Sequence, residues 1–298
     1  MDFTRSRLIM DRTMATEVIS KDLPVNPLSH LIISIEGYNV TDEATLAEIL
    51  AFINKIEVMN SSFTVLSLES EDLAGLNQYL YKKHPILTQN VATDNATRML
   101  SLIVPFGRRI FDPAECFPAT KKGELTLFVD TTIPSGSLDN AIINIDCVEL
   151  PGATPQRYLK SYLKTIPAPG ATGDNDISLP IGNKIVALQL RQTTFPATSS
   201  HVYGVETCKV LIDNKEFGYA SARAQCLVGD GIFHQGSLPR NIAAFGDIVP
   251  DNIYWLDFDP DRSNNWLLDT KGKSSVTLRL NMGVNEATNL SVFELVEA

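Results

Sequence analysis

Residues 125–130 read Leu-Thr-Leu-Phe-Val-Asp, and residues 276–281 read Val-Thr-Leu-Arg-Leu-Asn. Leu125, Leu127 and Val129 share one face of an extended chain, as do Val276, Leu278 and Leu280, because successive side chains of a strand point to opposite sides. Both stretches therefore predict half-buried strands. Each lies downstream of Phe-Asp-Pro, at 111–113 and 258–260, which follows an apolar strand at 99–106 and 253–258. A turn and a closing strand come after each, ending Val148-Glu149-Leu150 and Leu295-Val296-Glu297. Any strand uses Leu, Val and Thr in this way, so one match is weak. The shared order predicts a tandem duplication of one β domain.

The same alternation recurs elsewhere. Leu31, Ile33 and Ile35 alternate with His30, Ser34 and Glu36; Ile56 and Val58 with Lys55 and Glu57; Ile143, Ile145 and Cys147 with Asn144 and Asp146. In the second half Val186, Leu188 and Leu190 behave alike, as do Cys208, Val210 and Ile212. Turn clusters at 134–137, 170–176, 213–215 and 263–265 separate such runs, the pattern of an all-β chain. One helix is predicted from Ser70, read as its cap, with Glu71 and Asp72 at its start, Leu73, Leu76 and Leu80 as its stripe, and Lys82, Lys83 and Pro85 at its end. From Asp42, the spacing of Leu46, Ile49, Leu50 and Ile53 predicts a helical turn feeding the strand that ends at Met59.

A chain of 298 residues is long enough for two cores of roughly 150 residues each. Its 44% hydrophobic content supplies them, and with 20% charged residues it excludes global disorder. A net charge of -10 repels phosphate backbones and excludes a genome-coating role. No apolar run is long enough for a membrane-spanning helix, and a soluble protein made in the cytoplasm is expected. Cys116, Cys147, Cys208 and Cys226 form no Cys-x-x-Cys pair and are expected to be reduced core residues. The Asn-x-Ser/Thr triplets at Asn39, Asn60, Asn95 and Asn289 are expected to be coincidental without a secretion signal. Arg5, Arg7, Arg12 and Lys21, interleaved with Leu8, Ile9, Met10, Met14 and Val18, predict a short amphipathic helix or a frayed end.

Chemistry is hard to place on this sequence. His30, His84, His201 and His234 lack metal-ligand spacing, so the histidine cluster of a cupin-type enzyme is missing, and His30 reads as a strand residue. Gly272-Lys273-Ser274 has Leu267 where a phosphate loop needs its first glycine and reads as a turn. Ser200-His201 adjacency makes no catalytic pair. Asp174, Asp176, Asp257, Asp259 and Asp261 read as solvated turns rather than a cation site, and Tyr254, Trp255 and Trp266 as core rather than a sugar-stacking platform. The sequence therefore yields no catalytic, cofactor-binding or metal-ligating residue.

The segments His30 to Gly37, Ile53 to Val58 and Leu68 to Leu80, with Val104-Pro105-Phe106-Gly107-Arg108-Arg109 and Leu179-Pro180-Ile181-Gly182-Asn183-Lys184, resemble the double-jelly-roll major capsid proteins of tailless, icosahedral, lipid-containing bacteriophages. The resemblance covers most of the chain and implies two tandem eight-stranded jelly rolls with a few short helices. On that reading 1–27 is an N-terminal arm, 28–155 the first jelly roll, 156–182 a Pro- and Gly-rich linker, and 183–298 the second. It further implies a non-enzymatic homotrimer forming pseudo-hexagonal capsomers, with neighbouring capsomers and minor capsid or vertex proteins as partners. The arm would face an internal viral membrane, the outward loops would be short, and the protein would reside in a virion assembled in the host cytoplasm. No cofactor and no direct nucleic-acid contact are expected. A carbohydrate-binding β-sandwich is the alternative, and behind it a two-domain cupin-type enzyme.

Overall fold

The computed structural model describes residues 2–40, 43–83, 85, 95–134, 136, 138–194, 203–235, 241–242, 246–247 and 252–298, with 231–235, 241–242 and 246–247 described by backbone alone. The chain divides into two compact units. One comprises Met1–Tyr162, His234–Asp251 and Glu297–Ala298, and the other Leu163–Phe233 and Asn252–Val296.

In the first unit, strands β1 (Thr4–Thr13), β2 (Glu17–Asp22) and β3 (Leu28–Asn39) precede helix α1 (Leu46–Leu50). Then come β4 (Ile53–Asn60), β5 (Phe63–Leu68), helix α2 (Ser70–Tyr81), β6 (Thr97–Pro105), β7 (Leu125–Thr131), β8 (Leu138–Glu149) and β9 (Arg157–Ile166). One antiparallel sheet runs β1-β8-β3-β6 and the other β2-β7-β4-β5, with β9 parallel to β5 at Leu66–Ser161 and Ser67–Tyr162. Eight strands distributed in this order over two sheets make a jelly roll. Its core is the predicted apolar faces: Leu31, Ile33, Ile35, Ile143 and Ile145 from one sheet, Ile56, Val58, Leu127 and Val129 from the other, all fully buried.

The second unit continues with β10 (Gly173–Ser178), β11 (Lys184–Arg191), β12 (Val205–Ile212), β13 (Lys215–Glu216), β14 (Ala222–Arg223) and helix α3 (Ala224–Gln235). After the short pair β15 (Asn241–Ile242) and β16 (Gly246–Asp247) come β17 (Ile253–Asp257), β18 (Leu268–Asp269), β19 (Val276–Met282) and β20 (Thr288–Glu297). One sheet runs β10-β19-β12-β13, with β14 also on β12; the other runs β17-β11-β20, with β9 next to β20. Strands β9, β10, β11, β12, β13, β17, β19 and β20 thus occupy the places that β1 to β8 hold in the first unit. The duplication seen in residues 125–130 and 276–281 is a duplication of topology.

Several expectations need correction. Residues 1–27 are not an arm outside the first jelly roll, and no helix forms there: they supply β1 and β2, paired with β8 and β7 from Thr4–Glu149 and Glu17–Thr131 onward. The misreading has a physical cause. Both are rim strands, and Ile9 and Ile19 are their only buried residues, so neither shows the alternation of a covered strand. The 156–182 stretch is likewise not a bare linker, since it contains β9 and β10; the turn cluster expected at 170–176 turns into strand at Gly173.

The two helices lie where expected. Thr45 and Glu48 form a reciprocal capping box on α1, which leads into β4. In α2 the N-cap is Glu69 and Ser70 is the first helical residue, its hydroxyl donating to Leu50 O at 2.8 Å. Helix α3 was not expected; Gly229 and Gly231 interrupt any apolar stripe. The expectation of short outward loops falls mainly on 86–94, 195–202 and 236–251, largely outside the described residues.

Candidate functional site

A buried polar cluster sits at the β6–β7 loop of the first unit. Phe111-Asp112-Pro113 makes a tight turn in which Asp112 Oδ1 accepts from Ala114 N at 2.9 Å. This returns the chain so that Glu115, 4% exposed, meets Arg108 and Arg157. Its carboxylate accepts from Arg108 N, Nε and Nη2 at 2.7, 2.8 and 2.7 Å, and from Arg157 Nε at 2.9 Å. Burial pushes the Glu115 acid up, but the bonds and charge of Arg108, with Arg157, hold it below the ordinary carboxylate range. A carboxylate engaged in this way is a structural clasp, with no proton to give at neutral pH.

His30 lies beside this loop on β3, buried. Its Nδ1 is 2.9 Å from Ser29 Oγ, which accepts the Phe111 N–H at 2.7 Å, and its ring meets Phe111 edge-on. Burial, reinforced by Arg5, lowers its pKa to about 4, so the imidazole is neutral and packed. His84 and His201 lie outside the described residues. A second buried pair joins Arg98 and Glu43 at 2.7 Å, and Arg98 also donates to Ala44 O.

The acidic residues have occupations of their own. Asp176 takes a bidentate contact from Arg279, at 2.6 and 2.7 Å, and Asp174 accepts from Asn281 at 2.7 Å. Asp257 and Asp259 accept backbone N–H groups of 259 and 264, and Asp261 that of Ser263, as loop-forming carboxylates do. Among the described residues no three His, Cys, Asp or Glu are grouped to hold a metal ion. Burial raises the thiols of Cys116 and Cys208 to about 11 and about 12 and that of Cys147 further still, which makes them inert core residues; Cys226, on α3, is exposed, contrary to expectation.

In the second unit a cleft of about 550 Å³ lies between the β12–β13 turn and the β17–β19 loop, lined by Asp213, Lys215, Glu216, Phe217, Leu267 and Lys273 among others. Asp213 is engaged by the N–H groups of Ser274 and Ser275, and Glu216 by Lys209, so its acids serve the loop. Gly272-Lys273-Ser274 is the turn expected, with Gly272 at φ +72°. Trp255 is buried and stacked on Phe293, and Tyr254 is buried, as predicted; Trp266 is instead 62% exposed. The three rings do not form one exposed platform.

Sequence reading missed the Arg108–Glu115–Arg157 clasp. Its only signal was charge placed within otherwise apolar context at the edge of a Phe-Asp-Pro turn, and 42 residues separate Glu115 from Arg157.

Taken together, two jelly rolls of identical strand order in one chain, with no catalytic constellation among the described residues, define a double jelly roll. The same fold is seen in the major capsid protein P2 from bacteriophage PM2 (TM-score 0.65, 12% identity, covering 99% of this chain and 98% of that one). It is also seen in the major capsid protein of the Sulfolobus Turreted Icosahedral Virus (0.72, 14%, 99% and 96%) and in that of Faustovirus (0.56, 8%, 99% and 89%). No protein-family model matches the chain, and no curated protein matches it in sequence. At such identities the likeness is one of fold.

Proposed function

We propose that this protein is the major capsid protein of an icosahedral virus, a shell subunit without enzymatic activity that assembles as a homotrimer. The observation that carries this reading is mutual coverage: the chain and the capsid proteins of PM2 and the Sulfolobus virus match over 96–99% of their lengths. The buried clasps and inert thiols support a scaffold rather than a reaction centre. Two tandem jelly rolls give each subunit two similar lobes, so a trimer presents six and can fill a pseudo-hexagonal place in a shell.

The rim of the first unit supports lateral contacts with other copies. Met10 and Val18, on β1 and β2, are 58% and 61% exposed at strands that bury one residue each. Arg5, Arg7 and Arg12 with bulges along β1 guard that edge against unregulated strand pairing, while the exposed apolar residues leave surface for a fixed neighbour. Neighbouring capsomers and minor capsid proteins are the partners on this reading, and the virion, assembled in the host cytoplasm, is the location. On this reading Thr4–Thr13 and Glu17–Asp22 serve the first jelly roll as strands. Light scattering coupled to size exclusion tests the trimer, and electron microscopy of concentrated protein tests pseudo-hexagonal packing; a monomer that never forms such arrays overturns the reading.

A further inference from the structure

The cleft of about 550 Å³ in the second unit has two walls, the β12–β13 hairpin and the β17–β19 loop. The hairpin turns through Asp213 and Asn214, at φ +49° and +64°, the left-handed pair that a two-residue turn between strands requires. Asp213 then ties the walls together. Its N–H donates to Ser275 O at 3.0 Å, and its Oδ1 accepts from Ser274 N and Ser275 N at 2.8 and 3.0 Å. Beyond β13, Phe217 N donates to Val210 O at 2.9 Å, which anchors its backbone on β12, and Phe217 lines the cleft with 38% of its surface exposed. The space is therefore preformed, and no ordering of its walls opposes the entry of a ligand.

The polar lining is held in place without being used up. Glu216 accepts from Lys209 through Oε1, and Asp269 from Lys271 N through Oδ1, as Asp213 does from the serines. Among the described residues the second oxygen of each carboxylate accepts no bond, Lys215 and Lys273 form no ion pair, and the Asn265 side chain makes no hydrogen bond. Three acceptors and three donors thus line one space beside an aromatic ring. Their charges balance once the Lys209 on Glu216 is counted: Asp213, Glu216 and Asp269 against Lys209, Lys215 and Lys273.

That balance selects the ligand. An anion would meet the three carboxylates, and a divalent cation would meet two ammonium groups where no three acids are grouped to hold it. A wholly apolar ligand would cut the charged groups off from water. What matches is a neutral molecule with an apolar C–H face for the ring and several hydroxyls, each able to donate to a carboxylate and accept from an ammonium or amide. We propose that this cleft binds a neutral hexopyranose sugar, its C–H face on Phe217, its hydroxyls donating to Asp213, Glu216 and Asp269 and accepting from Lys215, Lys273 and Asn265. The volume lies within the roughly 300–1,000 Å³ usual for small-ligand sites. The inference goes beyond the shell reading and stands without it.

The test is saturation-transfer NMR on the full-length protein with the methyl glycosides of glucose, galactose and mannose, each followed by titration. Expected is transfer to the C–H face of at least one of the three. Phe217→Ala weakens that glycoside about tenfold by removing the stacking ring. Asn265→Ala weakens it several-fold and leaves thermal unfolding unchanged, because its side chain supports nothing in the fold. Trp266→Ala, an exposed ring outside the cleft, leaves binding unchanged. No transfer to any of the three glycosides overturns the proposal, as does binding that survives both Phe217→Ala and Asn265→Ala. A stronger response from glucuronate or glucosamine than from the neutral glycosides overturns it as well, since the lining would then be selecting charge. Solution mass is recorded on the same samples, so that a trimer without sugar binding and sugar binding without a trimer are read separately.

Discussion

Arg108 grips Glu115 three times, through its backbone N–H, Nε and Nη2, across a loop of seven residues. Both side chains are almost wholly buried, so removing one partner strands the other charge away from water. Glu115→Gln is expected to cost about 3–5 kcal/mol, the usual range for breaking a buried pair. Urea unfolding at pH 7 measures it. The pH dependence has a fixed sign. The folded carboxyl titrates below its unfolded value, so its contribution is present above the unfolded pKa and is lost as pH falls through the folded one. The gap between wild type and variant therefore closes in acid.

Gly107 precedes this grip, and a methyl group there would collide with the Glu115 carbonyl oxygen. Gly107→Ala is expected to destabilise by about 3 kcal/mol or more, since backbone must shift to admit it. Gly123→Ala, where a methyl group meets nothing but the left-handed φ of +79°, is expected to cost only about 1 kcal/mol. Thermal unfolding of the two variants side by side checks the contrast.

His30 is neutral when folded, with its pKa lowered to about 4, against about 6.5 for an unfolded histidine. The unfolded state therefore binds the proton first, and stability falls as pH drops from about 6.5 to about 4, by up to roughly 3 kcal/mol from this one group. His30→Asn is expected to flatten the pH profile across that window even if it lowers stability at pH 7. Parallel profiles for the two proteins would show that His30 does not titrate as described.

The surface pair offers a contrast. Arg279 and Asp176 make two short contacts but stand in solvent, where screening and side-chain entropy offset the attraction. Arg279→Gln is expected to leave the urea midpoint unchanged within error, unlike Glu115→Gln.

What the sequence revealed follows covered strands. Leu125 and Leu278 alternate with polar neighbours because each lies between a core and solvent, and that alternation is visible without coordinates. β1 is invisible because Ile9 alone is buried, and β10 because Ile177 alone is; Asp174 and Asp176 read as turn residues while in fact pairing across the sheet with Asn281 and Arg279. The clasp of Glu115 with Arg157 depends on which strands become neighbours. Local periodicity carries no record of that.

On the proposed function, two fused jelly rolls make a subunit that closes with two further copies. Solution mass by light scattering across a range of protein concentrations tests it most directly. A stable species of three chains, unchanged on dilution and in the presence of a chelator, is the predicted result. A single chain of 32.8 kDa at every concentration would contradict it.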